Sequence, residues 1–413
     1  MARKYLPQKT DKLLTSSTLI ISPNNEVLLL KHQQELRISP SDSSSPNTSN
    51  APNALRPRCL FPSGRLQLQD GVSLKSLRVP YDNFKCRQGA IREVFEKTGL
   101  LLVKDRDNEE LASLKIKDRD NGRLAVMKRV VKFHRWLKHR RLKEANLDIK
   151  SFIPFTRWIS PHFLPNRTNT QTYLYFLPLA PSTPPTSTEQ PKVPSNPDHR
   201  LVSASTIPPK HTEILSTNPF NGGTKITSLE FASPSTWLER ANAGEIILPP
   251  PEYYLLHLLS QFLTPHPTEA EQPLLQKYEK DRAALMGFIT SGTPPFGNRA
   301  ICPQKLNSKE SADNNNKIIL ALDNKPEPGT EMWKRGNGEV EETETGDPDR
   351  FIIADFTDLE TDGPRGLEVV WREEFLKEMG NEDQESGKGM EDGNENENVE
   401  GNEKMKKEKL AKL

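Results

Sequence analysis

The apolar residues of this chain come in short blocks, divided by Ser-, Pro-, Asn- and Thr-rich stretches at 39–57 and 180–220 and followed from Gly380 by an end rich in Glu, Asp, Asn and Gly. Sequence of that kind buries too little apolar surface to offset the entropy of ordering it, so the two stretches are expected as disordered insertions and the end as a flexible, charged tail. With 35 prolines and 34% hydrophobic residues in 413, one core must be assembled from the remaining blocks. The expected organisation is one enzyme-sized domain over residues 13–290, an ordered extension over 291–379 that packs on it, and a tail over 380–413.

The blocks alternate in character. SSTLIISPNNEVLLLK, 16–31, holds two apolar runs around a Pro-Asn-Asn turn and predicts a hairpin. Residues 88–98 form a charged but apolar helical pattern, and Gly99 stands where a helix C-terminus takes a left-handed residue. Leu124, Met127, Val131 and Leu137 recur among lysines and arginines, which predicts a single basic amphipathic helix over 123–143. FIPFTRWISP and TYLYFLPL within 151–179, and TKITSLEFAS beyond the second insertion, read as strands from their β-branched and aromatic content. A helix over 234–243 is followed by AGEIILPPPEYYLLHLLSQFL, whose second half predicts an amphipathic helix opened by prolines. KIILALD, RFIIADF and GLEVVWR predict three further strands, so the ordered chain is of the α/β class.

Charge and cysteine content narrow the function classes. Against 56 acidic residues stand 57 basic ones, so no whole-protein field draws the chain to nucleic acid, and a nucleic-acid partner is not expected. Cys59, Cys86 and Cys302 have neither metal-site spacing nor disulfide density, which implies a reducing compartment. No run approaches the roughly 20 apolar residues of a bilayer span, and a membrane span is not expected.

The chemistry-bearing run is REVFEKTGL, Arg92 to Leu100. On a helix Glu93 and Glu96, three apart, share a face, and two carboxylates so placed suit a hard divalent cation such as Mg²⁺ or Mn²⁺. A cation there clamps a diphosphate and lowers the pKa of an attacking water. Glu230, in a strand-like segment farther along, is a candidate for an additional carboxylate.

With GRLQLQD, Gly64 to Asp70, this run resembles the Nudix box, G-x5-E-x7-R-E-U-x-E-E-x-G-U with U aliphatic. Gly64 matches the box glycine and Asp70 stands at its first glutamate, while Arg92, Glu93, Val94, Glu96, Gly99 and Leu100 match its second half. Asp70 and Arg92 are 22 positions apart where the pattern has 8. An insertion at that place resembles the branch of peroxisomal coenzyme A diphosphatases, as do FPSG, FTRWISP, NRTNTQTYLYFLPL and WLERANAGEIILPPP, all in the same order. The resemblance spans about residues 13–265.

What it implies is a Nudix-like α/β/α sandwich with a mixed sheet, and a metal-dependent hydrolase cutting the diphosphate of coenzyme A or acyl-coenzyme A. The products are 3′,5′-adenosine bisphosphate and phosphopantetheine or its acyl form. By the same resemblance Glu93 and Glu96 are metal ligands, Glu93 also positions water, Arg92 orients the carboxylates as part of the catalytic set, and Gly64 lets the backbone approach the site. Three residues depart from the pattern: Lys97 replaces the second glutamate of the E-E pair, Ser63 replaces a glycine, and Asp70 is one methylene shorter than glutamate. The alternative implied by Lys97 is a weakened Nudix-like protein that binds nucleotide diphosphates without efficient hydrolysis. Ala411, Lys412 and Leu413 resemble a C-terminal peroxisomal address read by an import receptor, which implies a peroxisomal location, with the cytoplasm as the alternative.

Overall fold

The computed structural model describes residues 13–34, 56–70, 82–104, 116–142, 147–161, 164, 167–177, 179, 224–263, 274–306, 317–323, 346–355 and 363–377. The cores of both insertions and the tail, with its terminal tripeptide, lie outside the described residues.

An eight-stranded sheet is the frame. Strands β1 (Leu13–Ile21) and β2 (Val27–Gln34) form the expected hairpin, turning at Ser22–Glu26 with Asn25 left-handed (φ 59°), a conformation asparagine adopts more readily than most residues. The two strands splay at once, for only Ile21 and Val27 are paired. The short β4 (Ser63–Arg65) fills the gap, pairing Ser16 with Gly64, while β3 (Arg58–Leu60) and β7 (Thr224–Ala232) pair with β2. On the other side β1 runs parallel to β6 (Thr168–Phe176), which is antiparallel to β5 (Ile153–Ile159). The edge strand β8 (Ala300–Ile301) is parallel to β5. The sheet is therefore mixed, as the α/β reading expects.

Alternate strand residues face opposite layers. On one face Ile20, Leu28, Leu30 and Tyr173 pack with Ala90, Ile91, Val94 and Phe95 of helix α1 (Phe84–Thr98). On the other, Leu19, Ile21 and Leu29 pack with Trp237 of α4 (Pro234–Asn242) and with Tyr254, Leu255 and Leu259 of α5 (Pro250–Ser260). Beyond them lies a second, four-stranded sheet built from β9 (Gln304–Leu306), β10 (Lys317–Leu322), β11 (Asp347–Asp355) and β12 (Arg365–Trp371). Its Leu320, Leu322, Ile352 and Leu367 belong to the same apolar cluster as α5.

Two helices differ from expectation. α5 is buried on nearly every side rather than amphipathic, because a sheet covers each flank: Tyr253, Tyr254, Leu255, Leu256, Leu258 and Leu259 are all inside. Its polar anchor is the Tyr254 hydroxyl, bonded to the buried Asp347, which also pairs with Arg350 at 2.8 Å. The basic segment over 123–143 is two helices, α2 (Ile116–Met127) and α3 (Phe133–His139), broken where Arg129 turns left-handed (φ 60°). At about 100° per residue, a straight helix would aim Leu124, Met127 and Val131 nearly opposite to Phe133, Trp136 and Leu137. The break re-aims the second set onto α1, where Phe95 meets Trp136 with ring centroids 4.6 Å apart. Helix α6 (Leu274–Thr290) has no counterpart in the sequence reading. Its Arg282 ties it to the β1–β2 turn through the Ser22 carbonyl (2.7 Å) and Asn25 Oδ1 (2.8 Å).

Among the described residues no helix is long and apolar enough to cross a membrane. The three cysteines are free and buried, and burial pushes the Cys59 thiol up to about 12 and the Cys86 thiol up to about 11.

Because Leu256 is fully buried where α5 joins the two sheets, Leu256→Ala is expected to cost about 2–5 kcal/mol of unfolding free energy, measured by chemical denaturation of the full chain.

Candidate active site

Helix α1 begins where Asn83 Oδ1 accepts the Cys86 amide at 3.0 Å and ends at Gly99 (φ 76°), whose amide bonds the Phe95 carbonyl. Both are ordinary helix signals, a side-chain N-cap and a left-handed C-terminal glycine. Between them the stripe opposite the apolar one carries Arg92, Glu93, Glu96 and Lys97, all buried.

Arg92 organises the site. It is fully enclosed, and each of its five N–H donors has an acceptor. Nε and Nη2 grip the two oxygens of Asp70, both at 2.8 Å. Nη1 donates to Glu93 Oε1 at 2.7 Å and to Glu96 Oε1 at 2.8 Å, and Nη2 also reaches the Arg65 carbonyl at 3.0 Å. Asp70 sits on a 3₁₀ turn, Leu68–Asp70, held by the Gln67 amide on Oδ2 at 2.7 Å. Removing one partner from such a buried, charge-assisted network strands the others without water.

Gly64 stands against Glu93. A Cβ at Gly64 would lie 1.8 Å from Glu93 Oε2, so any side chain there displaces the carboxylate. The splay of the β1–β2 hairpin creates this approach by letting β4 in beside β1.

The electrostatics are those of an under-neutralised cluster. Asp70, Glu93 and Glu96 surround one guanidinium, leaving two negative charges that Lys97 offsets by one. Burial, then the neighbouring Glu93, raises the Glu96 carboxyl above its usual range, while Arg92 and Lys97 pull the other way. Arg92 uses one oxygen of each glutamate, so Glu93 Oε2 and Glu96 Oε2 are the oxygens left to a ligand. Among the described residues no three acidic, histidine or cysteine side chains are grouped to hold a metal, because Arg92 occupies the centre of its own trio. Two carboxylate oxygens with excess negative charge fit a divalent cation that takes its remaining coordination from water and phosphate.

Gly64, Asp70, Arg92, Glu93 and Glu96 are thus brought together. Glu230 is not. It lies between Leu229 and Phe231, which face the α1 layer, and so points to the opposite side of the sheet, where Lys31 and Arg240 each hold it at 2.6 Å. Those two cations lower its carboxyl pKa against the effect of burial. The sequence reading missed His32, a buried imidazole on β2 beside Lys97; a lone histidine carries no spacing signal.

These features define a mixed α/β protein with a buried arginine–carboxylate site at the edge of a layer-facing helix. A solved structure similar to this chain is a NUDIX hydrolase from Alicyclobacillus acidocaldarius, 17% identical, with a TM-score of 0.37 over 62% of this chain and 92% of that one. No family model and no curated protein matches the chain.

A carboxyl whose folded pKa is raised contributes stability when protonated, and that contribution is lost as pH rises through the folded value. Glu96→Gln is therefore expected to raise the thermal midpoint of the metal-free protein at pH 7–8, with the gain shrinking as pH falls toward the ordinary carboxyl value of 4.5. Equal midpoints for both proteins at every pH would show that Glu96 is not strained.

Proposed function

We propose that this protein is a Nudix-type hydrolase that cleaves the diphosphate of coenzyme A or acyl-coenzyme A with the help of Mg²⁺ or Mn²⁺. The observation that carries the reading is the Arg92 clamp, which sets Glu93 and Glu96 side by side with one oxygen each to spare, over a glycine with no side chain to obstruct them. The box resemblance implies roles for these same positions, and their mutual hydrogen bonds support that reading. Glu93 and Glu96 would hold the cation, which supplies charge neutralisation at the diphosphate and a more acidic water. Arg92 positions the two carboxylates, and Asp70 fixes Arg92 rather than ligating a metal.

The choice of coenzyme A rests on the insertion within the box and on the ordered segments that resemble that branch. The same reading gives the C-terminal Ala-Lys-Leu as the address by which an import receptor carries the protein to peroxisomes. A weakened, binding-only site is the second reading, favoured by the buried Lys97 beside Glu96.

The test is release of 3′,5′-adenosine bisphosphate from coenzyme A and a medium-chain acyl-coenzyme A, with either metal. Glu93→Gln is expected to lower kcat about 10²- to 10⁴-fold, the range for a residue that handles the reacting water's proton. Glu96→Gln is expected to raise the metal concentration for half-maximal rate. Native protein that binds the substrates without turning them over would decide for the binding-only reading.

A further inference from the structure

Lys97 is only 5% exposed, yet its ammonium makes no hydrogen bond or ion pair among the described residues. Nor is its Nζ among the solvent-excluded polar atoms that lack partners. The stem is therefore packed while the charged end reaches solvent, the usual compromise of a long cationic side chain at an apolar wall. Four residues after Glu93 on α1, Lys97 shares that residue's stripe.

The surroundings of that ammonium include a histidine as well as the carboxylates. On β2, His32 is two residues beyond Leu30 and faces the α1 layer, and its strand partner on β3 is Arg58. Burial, Lys97 and Arg58 together lower the imidazole to about 4, so His32 is neutral at physiological pH. Arg58 is also felt by Glu252. The Lys97 ammonium thus stands among the carboxylates Glu93 and Glu96 and the neutral His32, while the Arg58 guanidinium reaches away to Gly363. A cation-bridged diphosphate has oxygens that share a metal with the carboxylates, and outer oxygens whose charge is still unmatched.

We propose that Lys97 is a phosphate-binding residue, whose ammonium takes a non-bridging oxygen of the substrate diphosphate and supplies positive charge that a third carboxylate would have to recruit as metal. This rests on the diphosphate reading of the site and assigns its departure from the box pattern a role in substrate binding. Lys97 adds a fixed cation where a glutamate would add a ligand, so the site exchanges metal-binding capacity for direct grip on the anion.

The experiment is calorimetric titration of inorganic pyrophosphate into the full-length native protein at one fixed, saturating Mg²⁺ concentration, against Lys97→Met and Lys97→Arg, each checked for native circular dichroism. Native protein is expected to bind, Lys97→Met to bind about tenfold more weakly or worse, as for loss of one hydrogen bond between charged groups, and Lys97→Arg to stay within a few-fold of native. No binding by native protein, equal binding by Lys97→Met, or equal losses in Met and Arg variants would overturn the proposal. Turnover does not enter this measurement. A failed coenzyme A assay with the pyrophosphate result intact would sink the hydrolase reading alone, and the reverse would sink only the role of Lys97.

Discussion

The geometry of the site depends on the burial of one guanidinium. Arg92 is removed from water entirely, and a charge so placed is tolerable only if every donor is met and opposite charge is close. The chain meets that demand from three places: the 3₁₀ turn with Asp70, the β4 carbonyl of Arg65, and α1 itself, through the adjacent Glu93 and, one turn on, Glu96. Each partner is thereby fixed to the others. A carboxylate on an exposed helix face samples several rotamers, whereas Glu93, pinned by Arg92 on one oxygen and facing Gly64 with the other, has one place to be. The clamp is thus a structural joint between sheet and helix and at once the device that sets the site's geometry.

The sheet explains why that joint can form. A hairpin whose strands stayed paired along their length would leave no edge on β1 for β4, and Gly64 could not lie beside Ser16. The opposite face holds this arrangement in place through α5, which is enclosed by the first sheet and by the second. A helix sheathed on both sides has no solvent face to signal, and its sequence is correspondingly apolar throughout.

That difference marks how far the sequence could be read. Strand identities were legible because Val, Ile, Tyr and Phe cluster between turn residues, and α1 was legible because its glycine stop and apolar stripe agree. Arg92, Glu93 and Glu96 could be placed on one helix by spacing alone. Asp70 could not: 22 residues separate it from Arg92, and only the folded chain shows that it serves the arginine with both oxygens. The break at Arg129 was missed because Leu124, Met127 and Val131 share a helical phase, whereas the aromatic pair Phe133 and Trp136 lies out of it. Glu230 reads from the sequence as a candidate additional carboxylate because spacing does not give its face, and one residue of strand alternation puts it across the sheet with Lys31 and Arg240.

The charge balance of the site gives the remaining argument. A buried cluster with more carboxylates than cations opposes folding, and natural cores avoid one unless something else gains from it. Here the Glu96 carboxyl is raised by burial and by Glu93 even with Arg92 attached. A ligand bringing positive charge would offset the excess of carboxylate charge. Lys97 limits the debt without discharging it, since its ammonium remains turned toward solvent and His32 stays neutral beside it. A glutamate at 97 would deepen the excess and a neutral residue would leave it uncompensated. On the proposed reading, the lysine leaves the carboxylate pair to a cation while offering the substrate anion a fixed positive charge, and a metal-bound diphosphate would satisfy both.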